Sequence, residues 1–245
     1  MIRLCIVVPM YNEQGVAVNN LVTIINYVRK LPCETAVLVV DDGSTDRTNE
    51  FVLELVREQK DKLLCLISHE CNKGYGAANR TGGQYAIAHG YEYVLFMDSD
   101  LTNHPKFLKD FYAKMTEGWD YIKASRYMKG GEVVGVSWKR RLVSIAGNTL
   151  ARLAYRIPLT DFTNGYRAIR TRLFSKIKLN ENGFAIILEE LTKAKHWTCS
   201  FCEIPYVLTV RQKGQGATHF SYNLVTYWRY LKFLIQAFFT CRKRA

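Results

Sequence analysis

Five short apolar runs, each closed by polar residues, constrain this chain more than any other feature. RLCIVVP, TAVLVV, LLCLIS, YVLFMD and YIKAS alternate with stretches whose apolar residues recur at helical spacing. In GVAVNNLVTIINYVRK the stripe is Val18, Leu21, Ile25 and Val28. Further helices are predicted from about Arg47 to Lys60, with Asp46 as cap, from about Tyr75 to His89 and from about Pro105 to Met115. Continuous apolar strands between helices predict an α/β domain with a mostly parallel sheet covered on both faces. Such sheets bind ligands at the carboxyl ends of their strands. The places to look are therefore just after Val8, Val40, Ser68, Met97 and Ala124.

The chain has 245 residues, enough for one large domain. Its formal charge of +12 is unevenly spread: residues 121 to 175 hold eleven Lys and Arg against Glu132 and Asp161. Such a field draws phosphates, anionic lipid or nucleic acid, and no nucleic-acid recognition motif accompanies it. Seven Cys without a regular framework fit reduced cytosolic thiols. The lone Cys199-x-x-Cys202 lacks partners at zinc-ligand spacing. No signal peptide is expected, because LCIVV begins almost at Met1 and is broken by Pro9. No run approaches the roughly 20 apolar residues of a membrane-spanning helix. The nearest, LVTYWRYLKFLIQAFF, carries Arg229, Lys232 and Gln236.

From Met128 the pattern changes. MKGGEVVG reads as a Gly-rich loop and WKRRLVSIAGNTLARLAYRI as a basic amphipathic helix. One stripe of that helix holds Arg141, Ser144, Asn148, Arg152 and Tyr155, the other Leu142, Ile145, Ala146, Leu150, Leu153 and Ile157. Such a helix either lies on anionic lipid or covers the core. A second candidate carries Trp228, Tyr230, Phe233, Phe238 and Phe239 with Arg229 and Lys232, followed by Arg242, Lys243 and Arg244. TDFTNGYRAIR reads as a turn and short strand, GFAIILEELTKA as a helix and FCEIPYVLTV as a strand.

Four polar clusters fall at the same edge of the predicted sheet: PMYNE, DDGSTD, Asp98-Ser99-Asp100 and Ser125-Arg126-Tyr127. Taken singly, each is a good turn or helix cap. The first strand is followed by PMYNE, not G-x-G-x-x-G, which argues against a nicotinamide-dependent enzyme. Asp98 and Asp100, two apart after a strand, can address one hard divalent cation.

VVPMYNE, VVDDGSTD, NKGYGAANRTG and MDSDL, in that order, resemble the family 2 glycosyltransferases of the GT-A fold. SRYMKGG, the following Trp and Arg, DFTNGYRAIR, GFAIILEE and EIPYVLTVRQKG resemble the acceptor half of the polyprenyl-phosphate (dolichyl-phosphate) hexose transferases. The resemblance covers about residues 2 to 220. It implies one catalytic domain over 1–220, with a donor half over about 1–127 and an acceptor half over about 128–220. Residues 221–245 form an amphipathic C-terminal helix and basic tail.

What the resemblance implies for the site is specific. Pro9, Tyr11, Glu13, Val40, Asp42, Asp98, Ser99, Asp100, Arg126 and Arg211 are expected to bind the nucleotide-sugar, with Asp41 fixing the loop. Asp98 and Asp100 are expected to hold Mg²⁺ or Mn²⁺ against the diphosphate. The family often adds a Gln two residues on, where this chain has Thr102. Gly74 and Gly76 allow close backbone approach at a helix N-terminus or serve packing. Arg126, Arg140 and Ser144 are expected at the acceptor phosphate. Asp100, Arg126, Arg140 and Glu189 are the expected catalytic set, with Glu189 shaping the site and Glu190 more exposed. Asp161 is expected to orient an arginine such as Arg167. After Arg211 the family's Lys position holds Ala217, so Lys213 or His219 is the candidate substitute.

The implied reaction is inverting transfer of a hexose, mannose or glucose, from a GDP- or UDP-sugar to a polyprenyl phosphate. It is expected at the cytoplasmic face of a membrane, with room for a separate membrane-protein partner. A lipid phosphate is already anionic and needs no base. Two alternatives stand beside it: a family 2 enzyme acting on a sugar hydroxyl with Glu189 as base, and a catalytically silent nucleotide-sugar-binding protein.

Overall fold

The computed structural model describes residues 1–59, 63–209 and 224–240. The predicted alternation is present. β1 (Arg3–Met10), α1 (Ala17–Val28), β2 (Glu34–Asp41), α2 (Thr48–Glu58), β3 (Leu64–Ser68) and α3 (Tyr75–Ala88) come first. β4 (Tyr93–Phe96), α4 (Leu108–Thr116) and β5 (Tyr121–Ser125) follow. Asp46 stabilises the start of α2 as expected, its carboxylate accepting the Thr48 amide at 2.9 Å. Burial would raise its pKa, but the Thr48 hydroxyl and amide and the Gln14 amide more than offset this and hold it down.

A seven-stranded sheet has the order β3-β2-β1-β4-β7-β5-β8, with β7 at Arg167–Arg170 and β8 at Phe201–Pro205. All its pairings are parallel except those of β7, which runs antiparallel between β4 and β5. β1 lies between β2 and β4, so chain direction around the sheet reverses there. That crevice, at the carboxyl ends of β1 and β4, is where an open α/β sheet offers a ligand site. Register places Pro9 beside Val40 and Met10 beside Asp41, delivering Asp42 to the same edge. Alternate strand residues feed two apolar cores. Ile6, Val39 and Leu95 face one, Val7, Val40 and Phe96 the other. Each fully buried side chain of this kind contributes about 1.5–3 kcal/mol.

Beyond β5 the chain adds β6 (Glu132–Val133), α5 (Trp138–Tyr155), α6 (Thr171–Phe174), α7 (Ile186–Ala194), β9 (Val207–Leu208) and α8 (Leu224–Phe239). β6 and β9 pair in a small parallel ribbon beside the main sheet. α5 corrects the expected division of its stripes. Asn148 and Tyr155, placed with the polar residues, face inward, while Leu142, Ile145, Leu150 and Leu153 are exposed and Ile157 is buried. Inward placement is satisfied by hydrogen bonds: Asn148 Oδ1 accepts the Phe162 amide at 2.6 Å and Tyr155 Oη donates to the Leu188 carbonyl at 2.9 Å. α8 buries Phe233 and Ala237 and leaves Trp228, Phe238 and Phe239 exposed. Among the described residues no helix is long and apolar enough to cross a membrane.

Candidate active site

A cavity of about 1160 Å³ opens at the carboxyl edge of the sheet. Pro9, Tyr11, Glu13, Asp42, Asp98, Ser99, Asp100, Arg126 and Arg140 line it, so residues from four predicted strand ends and from α5 share one cavity. Three expected residues do not line it. Val40 is wholly buried, its side chain part of the core under α3. Ser144 lies one turn beyond Arg140 on α5 and its hydroxyl accepts from Tyr127 Oη at 2.7 Å. Glu189, expected among the catalytic residues, is 4% exposed and holds a loop instead. Its carboxylate accepts the amides of Asn180 and Glu181 at 3.0 and 2.8 Å and pairs with Lys193 at 2.7 Å. Arg211, with Lys213, Ala217 and His219, lies outside the described residues, as do Arg242, Lys243 and Arg244.

The loop after β2 is built by its two carboxylates. Asp41 accepts from the Ser44 amide at 3.2 Å and from Asn49 at 2.8 Å, fixing the turn as expected. Asp42 reaches the cavity, but its oxygens also accept the amides of Lys73 and Gly74 at 3.0 and 2.7 Å. His69, absent from the sequence reading, bonds Asp42 through Nδ1 at 2.7 Å and Thr81 through Nε2 at 2.9 Å. Gly74 (φ +98°) and Gly76 admit a protein segment: a Cβ there would meet the Asn182 and Glu181 carbonyl oxygens at 2.4 and 2.3 Å. Packing of the 181–182 loop on α3 accounts for both.

Asp98 accepts from Tyr75 Oη at 3.2 Å and from Asn103 Nδ2 at 2.7 Å. Asp100 accepts from the Thr102 amide at 3.0 Å and its hydroxyl at 2.6 Å. Thr102 thus orients Asp100 in a tight turn. Two carboxylates lining one cavity are a donor set for a hard divalent cation, which takes oxygen ligands. Among the described residues no group of three His, Cys, Asp or Glu could hold a metal ion by itself. The donor set fits a cation that completes its shell with phosphate oxygens and water.

Arg126 is held by Asp161, not by solvent contacts: Nε and Nη2 reach its carboxylate at 2.6 and 2.9 Å. Burial alone would lower the Arg126 pKa, but the adjoining carboxylate more than offsets it and the guanidinium stays charged. Asp161 orients an arginine, as expected, but that arginine is Arg126 and not Arg167. Arg167 instead pairs with Glu190, Nε to Oε1 at 2.7 Å, with both side chains fully buried. Glu190 is therefore the less exposed member of the Glu189–Glu190 pair.

Lys123, also unforeseen, is fully buried on β5 and donates to the Asn164 carbonyl. Burial lowers its pKa to about 7, with Asp161 opposing the shift. Between about pH 7 and its ordinary 10.5 the unfolded chain binds the extra proton, so stability rises with pH across that window. Lys123→Met is expected to flatten the rise in urea-derived stability between pH 7.5 and 10. Equal slopes in both proteins would contradict this.

A family model described as "Glycosyl transferase family 2" matches residues 5–178. The polyprenol monophosphomannose synthase of Mycolicibacterium smegmatis is 31% identical over 216 residues, covering 86% of this chain and 79% of that protein. The dolichol-phosphate mannosyltransferase of Pyrococcus furiosus is 30% identical, covering 90% of this chain and 61% of that one. The undecaprenyl-phosphate mannosyltransferase of Micrococcus luteus is 26% identical, covering 87% and 86%. Among solved structures, glucosyl-3-phosphoglycerate synthase from Mycobacterium tuberculosis in complex with Mn²⁺, UDP-glucose and phosphoglyceric acid superposes with a TM-score of 0.66. It is 18% identical and covers 96% of this chain and 78% of that one. The same synthase in complex with Mg²⁺ and UDP gives 0.65 at 19% identity, covering 96% and 79%.

Proposed function

This chain belongs to glycosyl transferase family 2, with the GT-A fold, and on that premise we propose that it transfers a hexose from a nucleoside diphosphate sugar to a polyprenyl phosphate. Mannose is the hexose its named relatives favour. The observation that carries the reading is the mixed wall of one cavity. Asp98 and Asp100 stand on it with Arg126 and Arg140, beside apolar Val134, Val136, Ile187 and Leu208. An acidic pair for a cation, two guanidiniums for phosphates and an apolar lip suit a charged donor and a lipid-borne anion together.

Mg²⁺ or Mn²⁺ at Asp98 and Asp100 would supply charge stabilisation for the departing diphosphate. The protein's own contribution is positional. Arg126, locked by Asp161, presents a fixed cation to phosphoryl oxygens without reorganising. Arg140 places a second cation on the α5 side, so two anions can be gathered without mutual repulsion. Attack by the acceptor phosphate oxygen on the anomeric carbon forms the new C–O bond as the nucleoside diphosphate leaves with the old bond's electrons. Configuration inverts once. Glu189, the base that a hydroxyl acceptor was expected to use, is committed to the 180–181 amides and Lys193, which disfavours that alternative. The catalytically silent alternative leaves the acidic pair and the two arginines of the same wall without a task.

The exposed apolar residues of α5 and α8, with Lys139, Arg141 and Arg152, suit an anionic bilayer surface. We place the enzyme peripherally on the cytosolic face, working on lipid presented there.

The test is transfer itself. Pure protein is incubated with polyprenyl phosphate in anionic vesicles and with labelled GDP-mannose, GDP-glucose, UDP-glucose or UDP-galactose, and label extracted into organic solvent is counted. Extraction from GDP-mannose above all others is expected. Label on free sugars or water, with none on lipid, would sink the acceptor assignment.

A further inference from the structure

The sequence left Asp98 without supporting residues and Thr102 in place of a familiar ligand. The structure supplies Asn103, five residues on from Asp98, and Tyr206, 103 residues beyond Asn103. Tyr206, between β8 and β9, is fully buried, and its hydroxyl donates to Asn103 Oδ1 at 3.0 Å and to the Thr102 carbonyl. Asn103 is 1% exposed and donates through Nδ2 to Asp98 Oδ2 at 2.7 Å. Tyr75, stacked on Phe184 at 4.6 Å, donates to the other oxygen, Oδ1, at 3.2 Å.

We propose that Asn103, oriented by Tyr206, is a positioning residue that sets how tightly Asp98 engages a divalent cation. This rests on the reading of Asp98 and Asp100 as the cation's carboxylates. The direction of the amide follows from its two partners. An amide side chain can present either its oxygen or its NH₂ to a neighbour. The Asp98 carboxylate only accepts, so the Asn103 NH₂ faces it and the amide oxygen faces the Tyr206 hydroxyl, whose single proton is shared with the Thr102 carbonyl. Burial, first among its causes, raises the Tyr206 pKa further above an already basic value, so the hydroxyl keeps its proton. Without that hydroxyl the buried amide oxygen loses its partner and the amide its fixed plane, so the Nδ2 donor no longer holds Asp98 Oδ2 in one orientation. Partners of this outer kind fix ligand orientation, and losing one weakens metal affinity by about 10–100-fold. Tyr206 has a second consequence. Its backbone amide donates to the Ser125 carbonyl at 3.0 Å, so one residue ties the Asp98–Asn103 turn to the strand end that carries Arg126.

Tyr206→Phe removes one oxygen and keeps the ring that packs on Phe107 and Tyr166 at centroid distances of 5.4 and 5.9 Å. Asn103→Ala removes the amide itself. Free Mn²⁺ is measured by electron paramagnetic resonance as it is titrated into native protein and each variant, with saturating GDP or UDP. Thermal melting checks that each variant is folded. The native protein is expected to bind Mn²⁺, and each variant to bind it about tenfold more weakly or worse, with transfer regained as metal is raised. Native binding with both variants within twofold overturns the clamp and leaves the parent reading standing. No Mn²⁺ bound by native protein with either nucleotide overturns both.

Discussion

Asp100→Asn will lower the initial rate of transfer at saturating donor and acceptor by about 10²–10³-fold, with Asp98→Asn at least as severe. At 1.36 kcal/mol per tenfold, that is a loss of about 3–4 kcal/mol of transition-state stabilisation. Asparagine is the informative replacement because it changes charge and hardly changes shape. At position 100 the amide oxygen can still accept the Thr102 amide and hydroxyl that now bond Oδ1, so the turn persists while the negative charge is gone. At position 98 the new NH₂ has to face either Asn103 Nδ2 or Tyr75 Oη, both of which now donate to the carboxylate. Asp98→Asn therefore loses charge and local order together. Melting temperature separates the two effects: little change for Asp100→Asn, a measurable fall for Asp98→Asn. Activity within tenfold of native for Asp100→Asn, or full activity in chelator, would remove the metal role from these residues.

The parts of this molecule that follow short-range rules were legible. The apolar runs and their helical neighbours marked a mostly parallel sheet with helices between its strands. The strand-end rule collected Pro9, Glu13, Asp42, Asp98, Ser99, Asp100 and Arg126 before any coordinates, and all of them line one cavity. Two of the errors share a cause: each required knowing which of two nearby groups points inward. A helical wheel separates two stripes of α5 but does not say which stripe meets the core, and Asn148 and Tyr155 turned out to be inside. Glu189 and Glu190 are sequence neighbours on one helix about 100° apart. One closes the 180–181 loop and the other meets Arg167. The pairing of Asp161 with Arg126 depends on β7 inserting antiparallel beside β5, a long-range event with no local signal. Asn103 sat in view beside the Asp98–Asp100 pair, but its meaning comes from Tyr206, and nothing in EIPYVLTV marks that tyrosine.

The largest stability effect is expected at the Arg167–Glu190 pair. Neither side chain has any solvent exposure. Glu190 takes Arg167 Nε at 2.7 Å and the Tyr121 hydroxyl at 2.9 Å, and the guanidinium lies over the Phe96 ring at 4.3 Å. Burial alone would lower the Arg167 pKa, but Glu190 more than offsets this, so the cation remains charged in the core. Glu190→Ala strands that charge among apolar groups and is expected to cost about 3–5 kcal/mol in urea unfolding. For a chain of this size that corresponds to a fall in Tm of about 10 °C. Replacing both partners, Arg167→Met with Glu190→Leu, is expected to recover most of the loss, because two apolar side chains of similar volume carry no desolvation cost. Recovery of stability need not bring recovery of transfer. Arg167 Nη1 also donates to the Gly165 carbonyl at 2.7 Å, and a Cβ at Gly165 would stand 2.8 Å from Tyr75 Oη and 3.6 Å from Asp98. Arg167 thus pins the backbone that leaves room beside the acidic pair. A double variant that regains its Tm yet stays slow would assign this buried cation to the shape of the donor site as well as to the fold. A single variant within about 1 kcal/mol of native would show that the pair contributes little to either.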